Sequence, residues 1–192
     1  NIDKVFCLSD WQIEQYKEIY QIDSDELFYK TRNGIKLIPQ PDNSKRQNKR
    51  LVYTNRPERG LDNLLFNIMP ELWKHDKEIE LCLAGYDNTS PQMKPFYDMC
   101  YGKVAEYQKQ GFKIAHLGAL NKNELYELYK TCRLFVYPTA FHETSCITAM
   151  ETQMTGVPMI TSHIGALPET LCHDGNKLFF GDYKSNPDYN RE

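Results

Sequence analysis

Two glutamates, Glu143 and Glu151, stand eight positions apart in a stretch that joins two apolar runs. The first run, residues 133–137, reads as a strand that ends at Pro138, and the second, residues 157–161, reads as another strand. From Glu143 onward apolar residues recur at helical spacing, which predicts the order strand, loop, helix and strand. Glu151 therefore lies on a predicted helix that follows a buried strand, and Glu143 lies near the beginning of that helix.

The predicted helix has two faces. Ile147, Met150 and Met154 form an apolar stripe that is predicted to be buried. The polar residues on another face are Ser145, Thr148, Thr152 and Thr155. Glu151 sits beside the apolar stripe, and a carboxylate buried without a partner is costly. We therefore expect a hydrogen-bonding group next to Glu151.

The spacing of the glutamates limits their chemistry. In one continuous helix the two carboxylates would lie roughly 12 Å apart, too far for one metal ion or one water, and beyond the ~5–9.5 Å of a glycosidase acid pair. The alternative that Glu143 lies in the preceding loop stays open. Free amides at a helix N-terminus attract phosphate, and here they would belong to Thr144, Ser145, Cys146 and Ile147. The pattern predicts one long ligand with a phosphate between two polar ends.

The pair with seven residues between, followed by Thr155-Gly156-Val157-Pro158, resembles the E-x7-E motif of retaining GT-B glycosyltransferases of the family 4 type, glycosyltransferase group 1. Further segments that resemble the family follow in the family's order at residues 7–12, 33–35, 56–61 and 165–169. The chain departs from the family at residues 144–146, where Thr-Ser-Cys replaces the common Gly-Phe-Gly, and at Arg59, which replaces a Lys.

The resemblance implies an α/β fold with a doubly wound parallel, Rossmann-like sheet, the C-terminal half of a GT-B fold. Residues 1–34 would be a remnant of the N-terminal domain, residues 35–49 the interdomain linker and residues 50–192 the nucleotide-sugar-binding domain. Residues 39–49 support the linker, because they hold two prolines, several charges and no large apolar residue. In the remnant we expect one strand at residues 5–8 and one helix from Asp10 to about Tyr20, capped by Ser9, without a sheet.

Strands alternating with helices predict a parallel sheet whose ligand site lies at the C-terminal ends of the strands. The predicted strands of the main domain are residues 51–53, 79–84, 113–117, 133–137 and 157–161. The predicted helices are residues 61–73, 92–109 and 122–129. The strand ends lead into residues 54–59, Gly85 and Tyr86, residues 118–120 and residues 138–143. Arg56 and Arg59 would there meet a diphosphate, and the alternative is a solvated basic turn that pairs with Glu58 or Asp62.

By resemblance, Glu151 would bind the ribose hydroxyls, Glu143 the hydroxyls of the donor sugar, and Arg56 with Arg59 the departing diphosphate. Backbone groups near Gly118 and Leu120 would contact the base. No cofactor and no metal are expected, because two cations and a helix terminus can stabilise the leaving group. His142 and Cys146 have a spacing that a metal could use, but no further Cys or His lies nearby in the sequence.

Composition describes a globular protein of 192 residues, 41% of them hydrophobic and 26% charged. The net charge of −3 argues against a nucleic-acid partner, and no apolar run is long enough to span a membrane. Six scattered cysteines without a C-x-x-C pair predict reduced thiols, four of them in the core, and a cytoplasmic location. The chain also lacks the G-x-G-x-x-G and G-x-x-x-x-G-K motifs of dehydrogenases and P-loop NTPases.

The same resemblance implies hexosyl transfer from a nucleotide-sugar donor to a carbohydrate, lipid or protein acceptor that the sequence does not specify. The chain begins with Asn rather than Met and is expected to be a fragment that binds the donor without transferring it. Any peripheral membrane contact would be made by the missing N-terminal domain. Two alternatives stay open: a sugar-nucleotide epimerase of GT-B architecture, and a noncatalytic module that binds nucleotide sugars.

Overall fold

A computed structural model describes residues 2–38, 42–85, 89–172, 174–180, 183–184 and 189–190. Its N-terminal part contains strand β1 (Val5–Cys7), helix α1 (Asp10–Tyr20) and strand β2 (Phe28–Lys30). Helix α1 begins where predicted, because the Ser9 hydroxyl accepts a hydrogen bond from the Gln12 amide at 3.1 Å.

The expectation of an N-terminal strand without a sheet is wrong. Strand β2 pairs with β1 in parallel and in full register, so the two strands form a small sheet of their own. Strand β2 has only three residues, and none of them is fully buried, so it lacks the apolar pattern by which a strand is recognised in a sequence.

The main domain contains a six-stranded sheet in which every neighbouring pair is parallel. Its strands are β3 (Arg50–Tyr53), β4 (Glu80–Leu83), β5 (Ile114–His116), β6 (Leu134–Tyr137), β7 (Met159–His163) and β8 (Lys177–Phe180). Their order is β5-β4-β3-β6-β7-β8. The first five strands are confirmed and β8 was not predicted. The direction of the strand order reverses between β3 and β6, where open sheets of this kind bind ligands.

Helices connect the strands. They are α2 (Leu61–Asn63), a π-helical segment (Leu64–Ile68), α3 (Met69–His75), α4 (Lys94–Lys109), α5 (Lys122–Thr131), α6 (Ile147–Met154) and α7 (Leu167–Thr170), with short 3-10 helices at Asn43–Lys45 and Pro57–Arg59. Right-handed crossovers place the helices between β3 and β5 on one face of the sheet and those between β5 and β8 on the other. The sheet is therefore doubly wound, as expected.

The helix predicted for residues 61–73 is confirmed, although its middle is a π-helical segment. Pro70 has no N–H and could not complete an α-helical bond to the preceding turn. The backbone widens to π-helical bonding over Leu64–Ile68, directly before the α-helical turn that holds Pro70. The chain thus continues as one rod into α3.

The core lies around the central strands β3 and β6. Val52, Phe135 and Tyr137 are fully buried there, and Trp73 covers the sheet from α3 while its indole N–H donates to the Ile79 carbonyl at 2.8 Å. The four cysteines predicted for the core, Cys7, Cys82, Cys132 and Cys146, are buried free thiols. Cys100 is buried as well, whereas Cys172 is exposed.

The predicted faces of the helix that carries Glu151 are wrong in part, because Met154 packs against the core but Ile147 does not. Ile147 is 44% exposed, whereas Thr152 and Thr155 are fully buried. The two threonine hydroxyls donate to backbone carbonyls of their own helix, at 3.0 Å to Ala149 and 2.9 Å to Glu151. Because these polar groups are satisfied within the helix, they can face the core.

Helix α6 begins at Ile147 with Cys146 as its N-cap residue, and Glu143 therefore lies in the preceding loop. The alternative left open by the sequence is correct, and the 12 Å separation of a continuous helix does not apply. Within the part of the chain that the structure describes, no helix is long and apolar enough to cross a membrane.

Candidate functional site

A salt bridge joins the ends of the two central strands. Arg59 follows β3 and Glu143 follows β6, and the guanidinium donates to Oε1 of Glu143 at 2.7 Å. The hydroxyl of Tyr137, the last residue of β6, donates to the same oxygen at 2.7 Å. Glu143 is only 8% exposed. The point where the strand order reverses therefore holds a buried carboxylate that a cation and a phenol bind together.

The surroundings of this cluster keep Arg59 and Tyr137 in the protonation states that donate hydrogen bonds. Burial lowers the pKa of Arg59, but the charge of Glu143, the nearby Tyr137 and the hydrogen bonds to both together outweigh burial, and the pKa of Arg59 is raised. Burial and the nearby carboxylate raise the pKa of Tyr137 well above its usual range. The Arg59 guanidinium also lies over the Phe141 ring, 4.0 Å from the ring centroid.

Two glycines let the backbone approach the loop that carries Glu143. Gly60 has a φ of 110°, and a Cβ atom there would lie 2.2 Å from the Pro138 carbonyl oxygen. Gly165 has a φ of 56°, and its Cβ would lie 2.7 Å from the carbonyl oxygen of Glu143. The Ala166 amide donates to that same oxygen at 2.7 Å. Glycine is required at both positions for contact and for conformation.

Arg56 lies outside the cluster. Its side chain is 52% exposed and forms an ion pair with Glu58 at 3.5 Å. Glu58 is held in turn by the Tyr97 hydroxyl at 2.8 Å. The pairing with Glu58 agrees with the alternative interpretation of Arg56 as part of a basic turn, whereas Arg59 reaches the buried carboxylate.

The expected partner of Glu151 is a pair of donors from helix α5. Glu151 is 3% exposed, and its Oε1 accepts hydrogen bonds from Lys122 Nζ at 2.5 Å and from the Tyr126 hydroxyl at 2.9 Å. Sequence reasoning missed Lys122. The available signal was the spacing of four residues, which places Lys122 and Tyr126 on one face of the predicted helix.

Glu151 borders a cavity of about 480 Å³. Side chains of α5 and α6 form one wall, and residues of the predicted linker form the other. The lining residues are Gly34, Ile35, Lys36, Ile38, Lys122, Asn123, Tyr126, Ile147 and Glu151. The second glutamate thus faces a space large enough for part of a small-molecule ligand.

The helix whose first amides were expected to attract phosphate begins later in the chain than predicted. Because α6 starts at Ile147, the free amides of its first turn begin there, while Thr144 and Ser145 belong to the loop. The Ser145 carbonyl accepts a hydrogen bond from the Asn33 side chain at 3.2 Å. Burial raises the pKa of the Cys146 thiol to about 12, so the N-cap residue is a neutral thiol at pH 7.

Asn55, directly after β3, contacts the start of α6. Its Oδ1 accepts a hydrogen bond from the Thr148 hydroxyl at 3.0 Å. Its Nδ2 is buried and has no hydrogen-bond partner among the described residues. The sequence placed Asn55 at the strand end but gave it no role.

The region predicted for the base lies at the ends of β4 and β5. Gly118 has a φ of 67°, and its carbonyl accepts a hydrogen bond from the Gly85 amide at 3.0 Å. Leu120 helps to line a cavity of about 40 Å³ together with Thr54, Ala84, Gly85, Ala119 and Leu125. Tyr86 falls outside the described residues. The predicted site residues therefore share one edge of the sheet but form three separate groups around Glu143, Glu151 and Gly118.

His142, whose spacing to Cys146 a metal could use, packs against an aromatic side chain. Its ring stacks on Trp11, with the ring centroids 5.6 Å apart. Among the described residues, no group of three or more His, Cys, Asp or Glu side chains is arranged to hold a metal ion.

Solved structures share this fold. A mutant of S. aureus TarM in complex with fondaparinux, alpha-GlcNAc-glycerol and UDP matches 98% of this chain and 36% of its own, with a TM-score of 0.73 and 15% identity. Sucrose-phosphate synthase from Thermosynechococcus elongatus matches 93% of this chain and 45% of its own, with a TM-score of 0.72 and 21% identity. Anabaena HepE in complex with UDP-glucose matches 93% of this chain and 50% of its own, with a TM-score of 0.70 and 16% identity. The Rossmann-like fold expected for the C-terminal half of a GT-B protein is confirmed.

Sequence comparison gives the family. An uncharacterized glycosyltransferase of Methanocaldococcus jannaschii is 28% identical over 139 residues, which cover 72% of this chain and 31% of the relative. The chain thus spans about a third of that relative's length. The profile of the glycosyl transferases group 1 family matches residues 36–190, most of the chain. The chain belongs to the glycosyl transferases group 1 family.

Proposed function

We propose that this chain is the donor-binding part of a retaining glycosyltransferase of the family 4 type, which takes a hexose from a nucleoside-diphosphate sugar. The observation that supports this most is the Arg59–Glu143 pair at the reversal of the strand order, with Glu151 buried on the helix that follows. A cation and a carboxylate at the ends of parallel strands, with a second carboxylate on the helix that follows, suit a ligand that carries a diphosphate between a ribose and a sugar.

Arg59 is assigned to the diphosphate. A guanidinium offers two parallel hydrogen bonds to phosphate oxygens, and Arg59 is the cation that lies beside both Glu143 and the loop before α6. The first-turn amides of α6 add donors and a favourable dipole. Arg56 is a second, more exposed contact. These groups offset the charge that develops on the departing diphosphate, and the proposal includes no metal and no cofactor.

Glu151 is assigned to the ribose. Both of its hydrogen bonds to the protein go to Oε1, and Oε2 receives none from the described residues. A ribose hydroxyl in the adjoining cavity can donate to Oε2. Glu143 is assigned to a hydroxyl of the sugar, with Arg59 and Tyr137 fixing the direction of its carboxylate. The base would lie near Gly118 and Leu120.

The complexes of TarM with UDP and of HepE with UDP-glucose support a uracil nucleotide as the first ligand to test. The test is a thermal-shift series with UDP, GDP and ADP and with UDP-glucose, GDP-mannose and ADP-glucose. A ligand at 100 times its Kd stabilises by about 2.7 kcal/mol, which raises the Tm of a chain of this size by about 5–10 °C. A series in which no nucleotide raises the Tm would overturn the proposal.

Sugar transfer is assigned to the full-length protein. The acceptor must be held in the correct orientation to the donor, and this orientation supplies much of the rate enhancement. Retention is tested there by proton NMR of the product's anomeric centre. An α-linked donor should give an α-linked product, and a β-linked product would exclude the retaining class while leaving donor binding intact.

A further inference from the structure

The N-terminal unit, residues 2–34, contacts the loop that carries Glu143. None of the eleven residues of α1 is buried. The position of α1 against the main domain therefore depends on a small number of specific contacts rather than on a shared core. Three of these contacts converge on residues 142–169.

The first contact is made by Glu169, which lies in α7. One carboxylate oxygen accepts the Asp10 amide at 2.8 Å and the other accepts the Trp11 amide at 2.7 Å. These are unpaired first-turn amides of α1, which carry the positive end of the helix dipole. A side chain from the main domain thus holds the beginning of a helix in the N-terminal unit.

The second and third contacts fall on both sides of Glu143. The Trp11 ring stacks on the His142 ring, with centroids 5.6 Å apart and planes inclined by 28°. The Asn33 side-chain amide donates to the Ser145 carbonyl at 3.2 Å. His142 immediately precedes Glu143, and Ser145 follows two residues later. The N-terminal unit therefore touches the loop before and after the carboxylate.

The segment that contains Glu169 also holds Glu143 from the opposite side. The Ala166 amide donates to the Glu143 carbonyl at 2.7 Å, and Gly165 packs against the Glu143 backbone. Glu169 lies three residues after Ala166, in the short helix α7 (Leu167–Thr170). One segment consequently binds both the N-terminal unit and the backbone of Glu143.

We propose that Glu169 and Trp11 are positioning residues that couple the docking of the N-terminal unit to the placement of Glu143. The inference rests on the proposed role of Glu143 in binding the donor sugar. Docking of α1 through Glu169 brings the Trp11 ring against His142 and closes the loop on Ala166. Undocking releases the loop on one side, so the sugar contact forms fully only when the two units are together.

The first test needs no ligand. Amide hydrogen exchange followed by NMR should report on Phe141 and Ala166, whose amides donate to Thr139 Oγ1 and to the Glu143 carbonyl. Glu169→Ala should raise both exchange rates by at least about tenfold, because it removes two charge-assisted hydrogen bonds. Trp11→Leu should raise them as well, although Trp11 lies in the other unit.

Glu14→Ala is the matched control, because Glu14 is an exposed acid on α1 whose pairing is with Lys17 of the same helix. It should leave both rates unchanged. The exchange rate of the Phe135 amide, which is bonded within the sheet, should stay the same in all three variants. Unchanged rates at Phe141 in both Glu169→Ala and Trp11→Leu would overturn the inference, because the loop would then be held independently of the N-terminal unit.

The second test compares UDP with UDP-glucose by calorimetry on the same variants. Glu169→Ala and Trp11→Leu should reduce the affinity gained from the glucose by severalfold and leave the affinity for UDP unchanged. Equal losses for both ligands would contradict a positioning role. If the unmodified chain binds neither ligand, the proposed function fails for this donor, while the exchange experiment still decides the coupling.

Discussion

Arg59 and Glu143, 84 residues apart in sequence, form a 2.7 Å ion pair where strands β3 and β6 lie side by side. The Glu143 oxygen that receives Arg59 also receives the Tyr137 hydroxyl. Because the carboxylate is buried, removing Arg59 would leave a buried charge with one neutral donor. In the proposed function, Arg59 binds a diphosphate oxygen while it stays paired with Glu143.

Arg59→Gln should weaken binding of a nucleoside diphosphate by roughly 10- to 100-fold, the effect of losing hydrogen bonds between charged groups. Arg56→Gln, the matched control, should have a smaller effect, because Arg56 is more exposed and lies near Glu58. Both losses should shrink as salt is raised. The measurement is calorimetric titration with UDP at two salt concentrations. An Arg56→Gln loss as large as that of Arg59→Gln would move the phosphate away from the ion pair.

The two donors to Glu151 should contribute unequally to stability. Tyr126→Phe removes a buried donor and should lower the free energy of unfolding by about 1–3 kcal/mol. Lys122→Met should lower it by no more than about 1 kcal/mol, because the Lys122 side chain is 60% exposed and screened by solvent. Urea denaturation of both variants measures the difference. A larger loss for Lys122→Met would show that the ion pair, not the phenol, holds the carboxylate.

Gly60→Ala and Gly165→Ala should each destabilise the protein by about 1–3 kcal/mol, since each new methyl group meets backbone atoms at positive φ. Gly102→Ala is the control. Gly102 lies in α4 with open space around its Cβ position, and alanine there should stabilise by about 0.5–1 kcal/mol. In thermal unfolding, Gly60→Ala and Gly165→Ala should lower the Tm, and Gly102→Ala should raise it. A Gly165→Ala variant as stable as the unmodified chain would mean that the Glu143 backbone can move away.

Local patterns in the sequence predicted the elements that depend on local physics. Ser9 predicted the start of α1, and the apolar runs predicted five strands of the main sheet. Strand β2 was missed because its three residues are stabilised by pairing with β1 rather than by their own burial. The faces of α6 were misjudged because Thr152 and Thr155 satisfy their hydroxyls within the helix, which hydrophobicity alone does not reveal.

The residues of the candidate site also fall into those that local patterns predicted and those that tertiary packing determines. The spacing of Glu143 and Glu151 marked both carboxylates, and the burial of Glu151 predicted a partner for it. The identity of that partner depends on how α5 packs against α6, and the choice between Arg56 and Arg59 depends on which side chain turns toward β6. Both are tertiary contacts between distant parts of the chain. The spacing of Lys122 and Tyr126 places them on one face of a helix, but no local pattern specifies which residue that face contacts.

The most direct measurement is calorimetric titration of the Glu143→Gln and Glu151→Gln variants with UDP and with UDP-glucose, compared with the unmodified chain. If Glu151 binds ribose and Glu143 binds the sugar, Glu151→Gln should weaken both ligands alike, by roughly 1.5–3 kcal/mol. Glu143→Gln should weaken UDP-glucose by a similar amount and leave UDP nearly unchanged. Equal losses for both ligands in both variants would contradict the assignment of the two glutamates to opposite ends of one nucleotide sugar.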